Sequence, residues 1–226
     1  MGCDFYKRIV LPFERRVNGS AEAWADWEKR GDVQEQLPFL AMCDILHHIL
    51  QKEGARVEFN DIYDSQRRLT GRVHRRGTRW HPGEYGLTVC VWVYDGKGNL
   101  LLTRRAPGKS FAGTWENSGG AAQAGESSLQ AIRRELFEET GIRAEMEEFE
   151  LIGTDRDKNT IYDFYCLKRQ TPVEEIVLLP GETDGVQWVT FAQVHEMIEQ
   201  RQICRIIANQ FLRQEPELLR RLDSAE

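Results

Sequence analysis

The chain has 226 residues, 41 % of them hydrophobic, and a formal net charge of -6. That length fits one domain of about 150 residues with an extension, or one large domain. The acidic balance and the lack of a Lys/Arg-rich block argue against a nucleic-acid polymer as partner, and no apolar run reaches the length of a membrane span.

The N-terminal stretch carries Asp4, Lys7, Arg8, Glu14, Arg15 and Arg16 and shows no apolar leader core. Met1-Gly2 resembles a myristoylation start, but Tyr6 stands where Ser or Thr is needed. The five cysteines, Cys3, Cys43, Cys90, Cys166 and Cys204, are scattered and odd in number. They predict neither a disulfide framework nor a zinc site, and a cytoplasmic location is expected.

Residues 21–30 and 33–52 are predicted to be helical, with Gly31-Asp32 between them. Leu37, Leu40, Ala41, Ile45, Ile49 and Leu50 form a loose stripe there. His47 and His48 are adjacent, so on a helix they point apart and predict no metal site. Residues 1–56 are therefore expected to be a helical N-terminal extension, with residues 57–226 as the main domain. Trp24, Trp27, Phe39 and Leu40 leave the extension too apolar to stand in water and too small for its own core. It is expected to pack on the main domain or on a second copy, and a homodimer is expected.

From residue 57 the pattern becomes β. Strands are predicted over 57–63 and 69–74, then over 87–94 and 100–104. Asp95-Gly96-Lys97-Gly98-Asn99 marks a hairpin turn within the second pair. A glycine-rich loop is predicted over 113–125. Strands follow at 148–154, 160–167 and 186–189, a loop at 178–185, and helices at 191–200 and 203–212. Strands before and after a central helix, with late helices, predict an α/β (α+β) sandwich: a mixed sheet covered by helices on both faces.

The stretch 120–142 reads GAAQAGESSLQAIRRELFEETGI. Ser127 or Ser128 can cap a helix that runs to about residue 140, and Gly141 can end it in the left-handed conformation. Leu129, Ile132, Leu136 and Phe137 share one apolar face. Glu135, Glu138 and Glu139 fall on an arc of about 100° beside it. Carboxylates that close repel one another, and a hard divalent cation removes the repulsion. All-oxygen ligation favours Mg²⁺ or Mn²⁺. Arg134 lies one turn before Glu138 and can hold it.

This stretch resembles the Nudix box, G-x5-E-x7-R-E-U-x-E-E-x-G-U with U aliphatic. Gly120, Glu126, Arg134, Glu135, Leu136, Glu138, Glu139, Gly141 and Ile142 fill its defined positions. The chain also resembles the Nudix branch related to isopentenyl-diphosphate isomerase. That likeness lies in Asp61-Ile62-Tyr63, Thr70-Gly71-Arg72, His74-Arg75-Arg76-Gly77, Gly83-Glu84-Tyr85, Leu101-Leu102, Arg104-Arg105 and Gly113-Thr114-Trp115.

The resemblance implies a Nudix-type α/β/α fold and cleavage of a diphosphate linked to another group, commonly a nucleoside. It implies Glu138 and Glu139 as metal ligands, Glu135 as a ligand or water-activating base, and the Gly120 carbonyl as a further ligand. Glu126, Arg134 and Gly141 are implied to be structural. Outside the box, Arg104, Arg105 and Lys109 are candidates for phosphate contacts. Phe111 and Trp115 are candidates for stacking on substrate, and Glu182 and Asp184 are loop acids where some relatives place a base.

Two alternatives stand beside the hydrolase. An isomerase of isopentenyl diphosphate would need a cysteine near the glycine loop and histidine ligands. The loop reads Trp115-Glu116-Asn117-Ser118-Gly119-Gly120-Ala121-Ala122, and Gly86 follows Tyr85 where a histidine would be expected. A non-catalytic nucleotide-binding sensor would be expected to have lost box carboxylates, which are all present.

Overall fold

The computed structural model describes residues 57–223. The expected N-terminal helices, their packing and the dimer contact lie outside the described residues. Among the described residues fourteen elements follow one another, of which nine are strands and three are α-helices. Strands β1 (Phe59–Tyr63) and β2 (Leu69–Arg75) form an antiparallel hairpin. The main sheet has seven strands. These are β3 (Gly86–Tyr94), β4 (Asn99–Arg105), β5 (Trp115–Glu116), β6 (Ser118–Ala121), β7 (Glu150–Asp157), β8 (Thr160–Lys168) and β9 (Thr183–Thr190).

The order β5-β4-β3-β8-β7 forms the backbone of the sheet, with β6 on β3 and β9 on β4. Among the described strands, β3 and β8 alone pair in parallel, in register from Gly86 opposite Thr160 to Tyr94 opposite Lys168. The other pairs are antiparallel, so the sheet is mixed. Strand β3 reads GLTVCVWVY and is buried almost throughout. A strand covered on both faces has no polar side to show.

Alternation along β3 divides its side chains between two cores. Leu87, Val89, Val91 and Val93 meet Ile132 and Leu136 of helix α1 (Ser128–Thr140). Trp92 and Tyr94 face the other way, toward α2 (Phe191–Glu199) and α3 (Arg205–Asp223). Trp92 meets Phe211 edge to face with ring centroids 5.5 Å apart. Ile132 and Leu136 are wholly buried, and burial of each such side chain contributes about 1.5–3 kcal/mol. The helix carrying the box residues is thereby fixed to the sheet by its apolar face.

The expected turn at 95–99 is present: Asp95 Oδ1 accepts from the Lys97 and Asn99 amides at 2.7 and 3.0 Å. Three expectations are corrected. The loop over 113–125 contains β5 and β6, which are too short, two and four residues, to show an apolar alternation. Their pairing with β4 and β3 makes them strands. The loop over 178–185 yields at residue 183, where β9 begins. Thr183-Asp184-Gly185 is extended because it pairs with Arg104 and Arg105 around a bulge. The last helix continues past residue 212 to Asp223, with Pro216 inside it. Proline removes the hydrogen bond to the carbonyl four residues earlier. That residue, Leu212, is 47 % exposed, so water can serve the carbonyl and the helix continues.

Candidate active site

Helix α1 is locally well specified. Ser127 is its N-cap, accepting from the Gln130 amide while the Gln130 side chain returns to the Ser127 amide. This reciprocal arrangement satisfies two otherwise orphaned donors. Gly141 ends the helix in the left-handed region at φ 71° and bonds back to the Phe137 carbonyl.

Glu135, Glu138 and Glu139 project from this helix toward β6 and line a cleft of about 580 Å³. Glu138 is buried at 4 % exposure. Gly120 faces Glu135 so closely that an added Cβ would overlap the Glu135 carboxylate. Only glycine leaves that space.

The sheet register decides which backbone groups face the carboxylates. Gly120 pairs with Val89, and the Ala122 amide donates to Leu87 in the same phase. Antiparallel pairing alternates between residues that exchange both backbone bonds and residues that exchange none. Gly120 is thus turned toward β3. The Gly119 amide instead donates to Glu139 Oε2 at 3.2 Å. The Gly119 amide thus faces the cluster, and Gly119, Gly120 and Ala121 all line the cleft.

Arg134 organises the cluster. Its Nε and Nη2 donate to the two oxygens of Glu126 at 2.7 and 2.9 Å. Nη2 also reaches the Ala121 carbonyl at 3.2 Å. Nη1 donates to Glu135 at 2.8 Å and reaches Glu138 only at 3.5 Å. The expected one-turn pair with Glu138 is therefore the weakest of these contacts, and Glu126 is the main partner. Burial works against the Arg134 charge, but Glu126, Glu135 and Glu138 outweigh it and push the guanidinium pKa up. Burial also opposes the Glu126 charge. The Arg134 hydrogen bonds and the Gln123 amide outweigh that and hold the carboxyl below its usual range.

Glu139 behaves oppositely. Burial, then the charges of Glu135 and Glu116, push its carboxyl well above the usual range, against the pull of Ser118 and the Gly119 amide. Burial and like charge thus both disfavour the charged form of Glu139. Among the described residues, no three His, Cys, Asp or Glu side chains are placed together so as to hold a metal ion.

Of the residues expected outside the box, Arg105, Lys109 and Glu182 line the cleft. Arg105 Nε donates to the Ser110 carbonyl at 2.6 Å, and Nη1 donates to both Glu116 oxygens at 2.7 Å. Lys109 forms an ion pair with Glu182. Arg104, Phe111 and Trp115 do not line the cleft. Arg104 lies beside β9, with Nε donating to Asp184 at 2.7 Å and its guanidinium 5.7 Å from the Trp115 ring. Trp115 packs against the core of α2 and α3. Phe111 is 58 % exposed and borders a separate groove with Tyr162 and Ile206.

Sequence reasoning missed Glu116, Arg75, Arg76 and Gln123 at the cleft. Arg75, Arg76 and Gln123 line it, and Glu116 braces Arg105 from behind. Burial first, then the charge of Glu182, push the Glu116 carboxyl up against the opposing pull of Arg105. A signal for Glu116 existed: neighbours in a strand face opposite sides, so a core Trp115 turns Glu116 away from the core.

Comparison with known proteins bears on this arrangement. The NUDIX domain family matches residues 84–206. The chain belongs to the Nudix family. It is accordingly a hydrolase acting on pyrophosphate bonds, in a family that generally uses divalent metal ions. An uncharacterised Nudix hydrolase of Listeria monocytogenes is 29 % identical over 132 residues, covering 58 % of this chain and 78 % of the relative. The isopentenyl-diphosphate Delta-isomerase of Clavibacter sepedonicus is 32 % identical over 127 residues, covering 52 % of this chain and 63 % of that one. A solved structure from Deinococcus radiodurans shares the Nudix fold with a TM-score of 0.59 at 20 % identity. It covers 70 % of this chain and 99 % of its own. Among the described residues, no helix is long and apolar enough to cross a membrane.

Proposed function

We propose that this Nudix protein cleaves the diphosphate bond of a nucleoside diphosphate linked to another moiety, or of a related organic diphosphate, with Mg²⁺ or Mn²⁺. The observation that carries the reading is the union, in one cleft, of Glu135, Glu138 and Glu139 with Arg75, Arg76, Arg105 and Lys109. Negative and positive side chains that share a cleft suit a ligand bridged by a cation on one side and held by guanidinium or ammonium groups on the other.

The donor set fits a hard divalent ion. Glu135, Glu138, Glu139 and a backbone carbonyl of the Gly119-Gly120 pair, which lines the same cleft, offer only oxygen. Glu139, whose charge is disfavoured by burial and by Glu135 and Glu116, gains most from a positive neighbour. A bound cation would neutralise diphosphate oxygens and lower the pKa of a water. The chain's own groups do the rest. Arg134 holds Glu135 and Glu126 in place, and Glu116 holds Arg105. Arg105 keeps Nη2 available to a phosphate oxygen, where charge develops in phosphoryl transfer. Glu135 serves as ligand or as the acceptor of the water proton.

The likeness to the isomerase does not extend to its chemistry. Among the described residues, the cleft lining contains neither cysteine nor histidine, so those residues offer no such group to protonate a double bond. The test is a panel of nucleoside diphosphate sugars, dinucleotides, nucleoside triphosphates and coenzyme esters incubated with Mg²⁺, with products identified by mass. Cleavage of at least one compound between its phosphorus atoms, abolished by a chelator, is expected. Turnover unaffected by the chelator, or no turnover of any member, would contradict the proposal.

A further inference from the structure

A groove of about 330 Å³ lies apart from the cleft and is bordered by Phe111, Tyr162 and the first turns of α3. Alternation along β8 sets its place. Ile161 joins the core under α1, so Tyr162 points to the other face of the sheet, where its ring stacks on Phe164 with centroids 6.1 Å apart. Helix α3 contributes Arg205, Ile206 and Gln210 to the same groove.

Two features there are unexplained by the fold alone. Gln210 is buried at 6 % exposure, and its Oε1 has no hydrogen-bond partner. Buried polar groups are ordinarily hydrogen-bonded, so an orphaned acceptor calls for a donor from outside the chain. Phe111, in turn, holds a left-handed backbone at φ 58°, which a bulky residue rarely adopts. Thr114 fixes that turn, its amide and Oγ1 donating to the Phe111 carbonyl at 3.1 and 2.7 Å. The strained turn leaves the ring 58 % exposed instead of burying it. Strain of this kind clusters at ligand clamps.

The lining limits the ligand. Phe111, Tyr162 and Ile206 offer flat and apolar surface to a ring. Gln210 Oε1 can only accept, so the ring must carry an N–H. Asp155 and Arg213 pair with each other. Among the described residues, Lys158 and Arg205 form no ion pair, against one acid in the same state, Asp157. The balance favours an anionic group, which such cations bind by charge-assisted hydrogen bonds. The volume falls in the usual range of about 300–1,000 Å³ for small-molecule sites.

We propose that this groove is a second binding site, for a nucleoside monophosphate whose base carries an amino group. The base lies against Phe111 and donates to Gln210 Oε1, and the phosphate meets Arg205 and Lys158. The site stands whether or not the cleft is a hydrolase centre. Its occupant also touches the cleft indirectly, because Ser110, next to Phe111, offers its carbonyl to Arg105 Nε at 2.6 Å.

The test is titration calorimetry on the full chain without divalent cations, with three probes. Adenosine 5′-monophosphate has both the amino group and the phosphate. Purine riboside 5′-monophosphate lacks the amino group, and adenosine lacks the phosphate. Adenosine 5′-monophosphate is expected to bind at least tenfold more tightly than either of the others. Phe111→Ala and Arg205→Ala, both at exposed positions, are each expected to weaken it about tenfold. Gln210→Leu keeps the volume and removes the acceptor, and is expected to abolish the preference for the amino-bearing nucleotide. Should that buried variant fail to fold, the comparison of the two nucleotides in the parent chain tests the same contact. Arg75→Ala, which removes a cation from the cleft, is expected to leave binding unchanged. No binding of adenosine 5′-monophosphate, or equal affinity for it and either comparison probe, overturns the proposal. So does binding that survives Phe111→Ala and Arg205→Ala but is lost in Arg75→Ala, which would put the nucleotide in the cleft.

Discussion

Arg134 grips both oxygens of Glu126, at 2.7 and 2.9 Å, and so joins the middle of helix α1 to the loop that enters it. The same guanidinium reaches Glu135 and the Ala121 carbonyl, so one side chain sets the distance between helix and β6. Removing it leaves a half-buried Glu126 carboxylate without its main partner. Arg134→Ala is expected to lower unfolding free energy by about 1.5–3 kcal/mol, the range for hydrogen bonds to charged groups. Urea denaturation measures it. The pH dependence has a definite sign. Glu126 is held below its unfolded value, so its contribution is present above about pH 4.5 and fades as pH falls through the folded value. The deficit of the variant should shrink in acid, and a deficit independent of pH would contradict this role.

A second network anchors the β1–β2 hairpin. Asp163 is 1 % exposed and accepts from Arg67 Nη1 and Nη2 at 2.7 and 2.5 Å, from Ser128 at 2.5 Å and from Thr154 at 3.0 Å. Breaking one partner of a buried pair typically costs about 3–5 kcal/mol. Arg67 is partly exposed and two hydroxyls remain on Asp163, so Arg67→Ala is expected to cost on the order of 2 kcal/mol. Equal stability of parent and variant in thermal unfolding would remove this pair from the account.

The carboxylate cluster links stability to pH and to cations. Glu139 titrates well above its unfolded value. Between about pH 4.5 and that raised value the folded chain binds more protons than the unfolded one, so stability falls as pH rises. Without divalent cations, melting temperature is expected to decrease from mildly acidic to mildly alkaline pH. Saturating Mg²⁺ is expected to remove the decrease, because a ligand that binds only the folded state stabilises it. Turnover should rise over the same interval as the cluster and a bound water lose protons. A Mg²⁺ effect equal at all pH values, or a rate optimum near pH 5, would count against the metal site.

Arg105 is braced by Glu116 and the Ser110 carbonyl. Arg105→Ala is expected to raise KM for a cleaved diphosphate about tenfold, equivalent to about 1.4 kcal/mol, with a smaller effect on kcat. Arg104→Ala is expected to change neither, since Arg104 lies against Asp184 and Trp115. Steady-state kinetics on both variants tests the assignment, and the reverse pattern would exchange the two roles.

The sequence carried the box helix almost completely, because its signals are local. Ser127 caps it, Gly141 ends it, and Ile132 and Leu136 mark the buried face. The long strands β3 and β8 were equally legible from their mostly apolar runs, which Asp163 interrupts in β8. What failed depends on tertiary pairing. Strands β5 and β6 are four residues or fewer, and their residues, such as Ser118-Gly119-Gly120-Ala121, have no apolar pattern. The site divided in the same way. Box spacing located Glu135, Glu138 and Glu139, but not the choice of Glu126 as the main partner of Arg134. The adjacent arginines Arg104 and Arg105 could not be told apart without knowing which face of β4 meets the cleft. Arg75 and Arg76 come from the β1–β2 hairpin, whose position beside β6 has no local signature.

The central claim is that the box carboxylates hydrolyse a diphosphate with a divalent cation. Its most direct test is turnover by Glu139→Gln on the best substrate of the diphosphate panel, at saturating Mg²⁺, with folding checked by thermal unfolding. The substitution removes one charge while preserving side-chain volume. Near-complete loss of turnover, on the order of the 10²–10³-fold typical when a stabilising group is removed from an active site, in a protein that still folds, is the expected result. Turnover within about threefold of the parent, less than 1 kcal/mol in transition-state stabilisation, would remove Glu139 from the site and contradict the account.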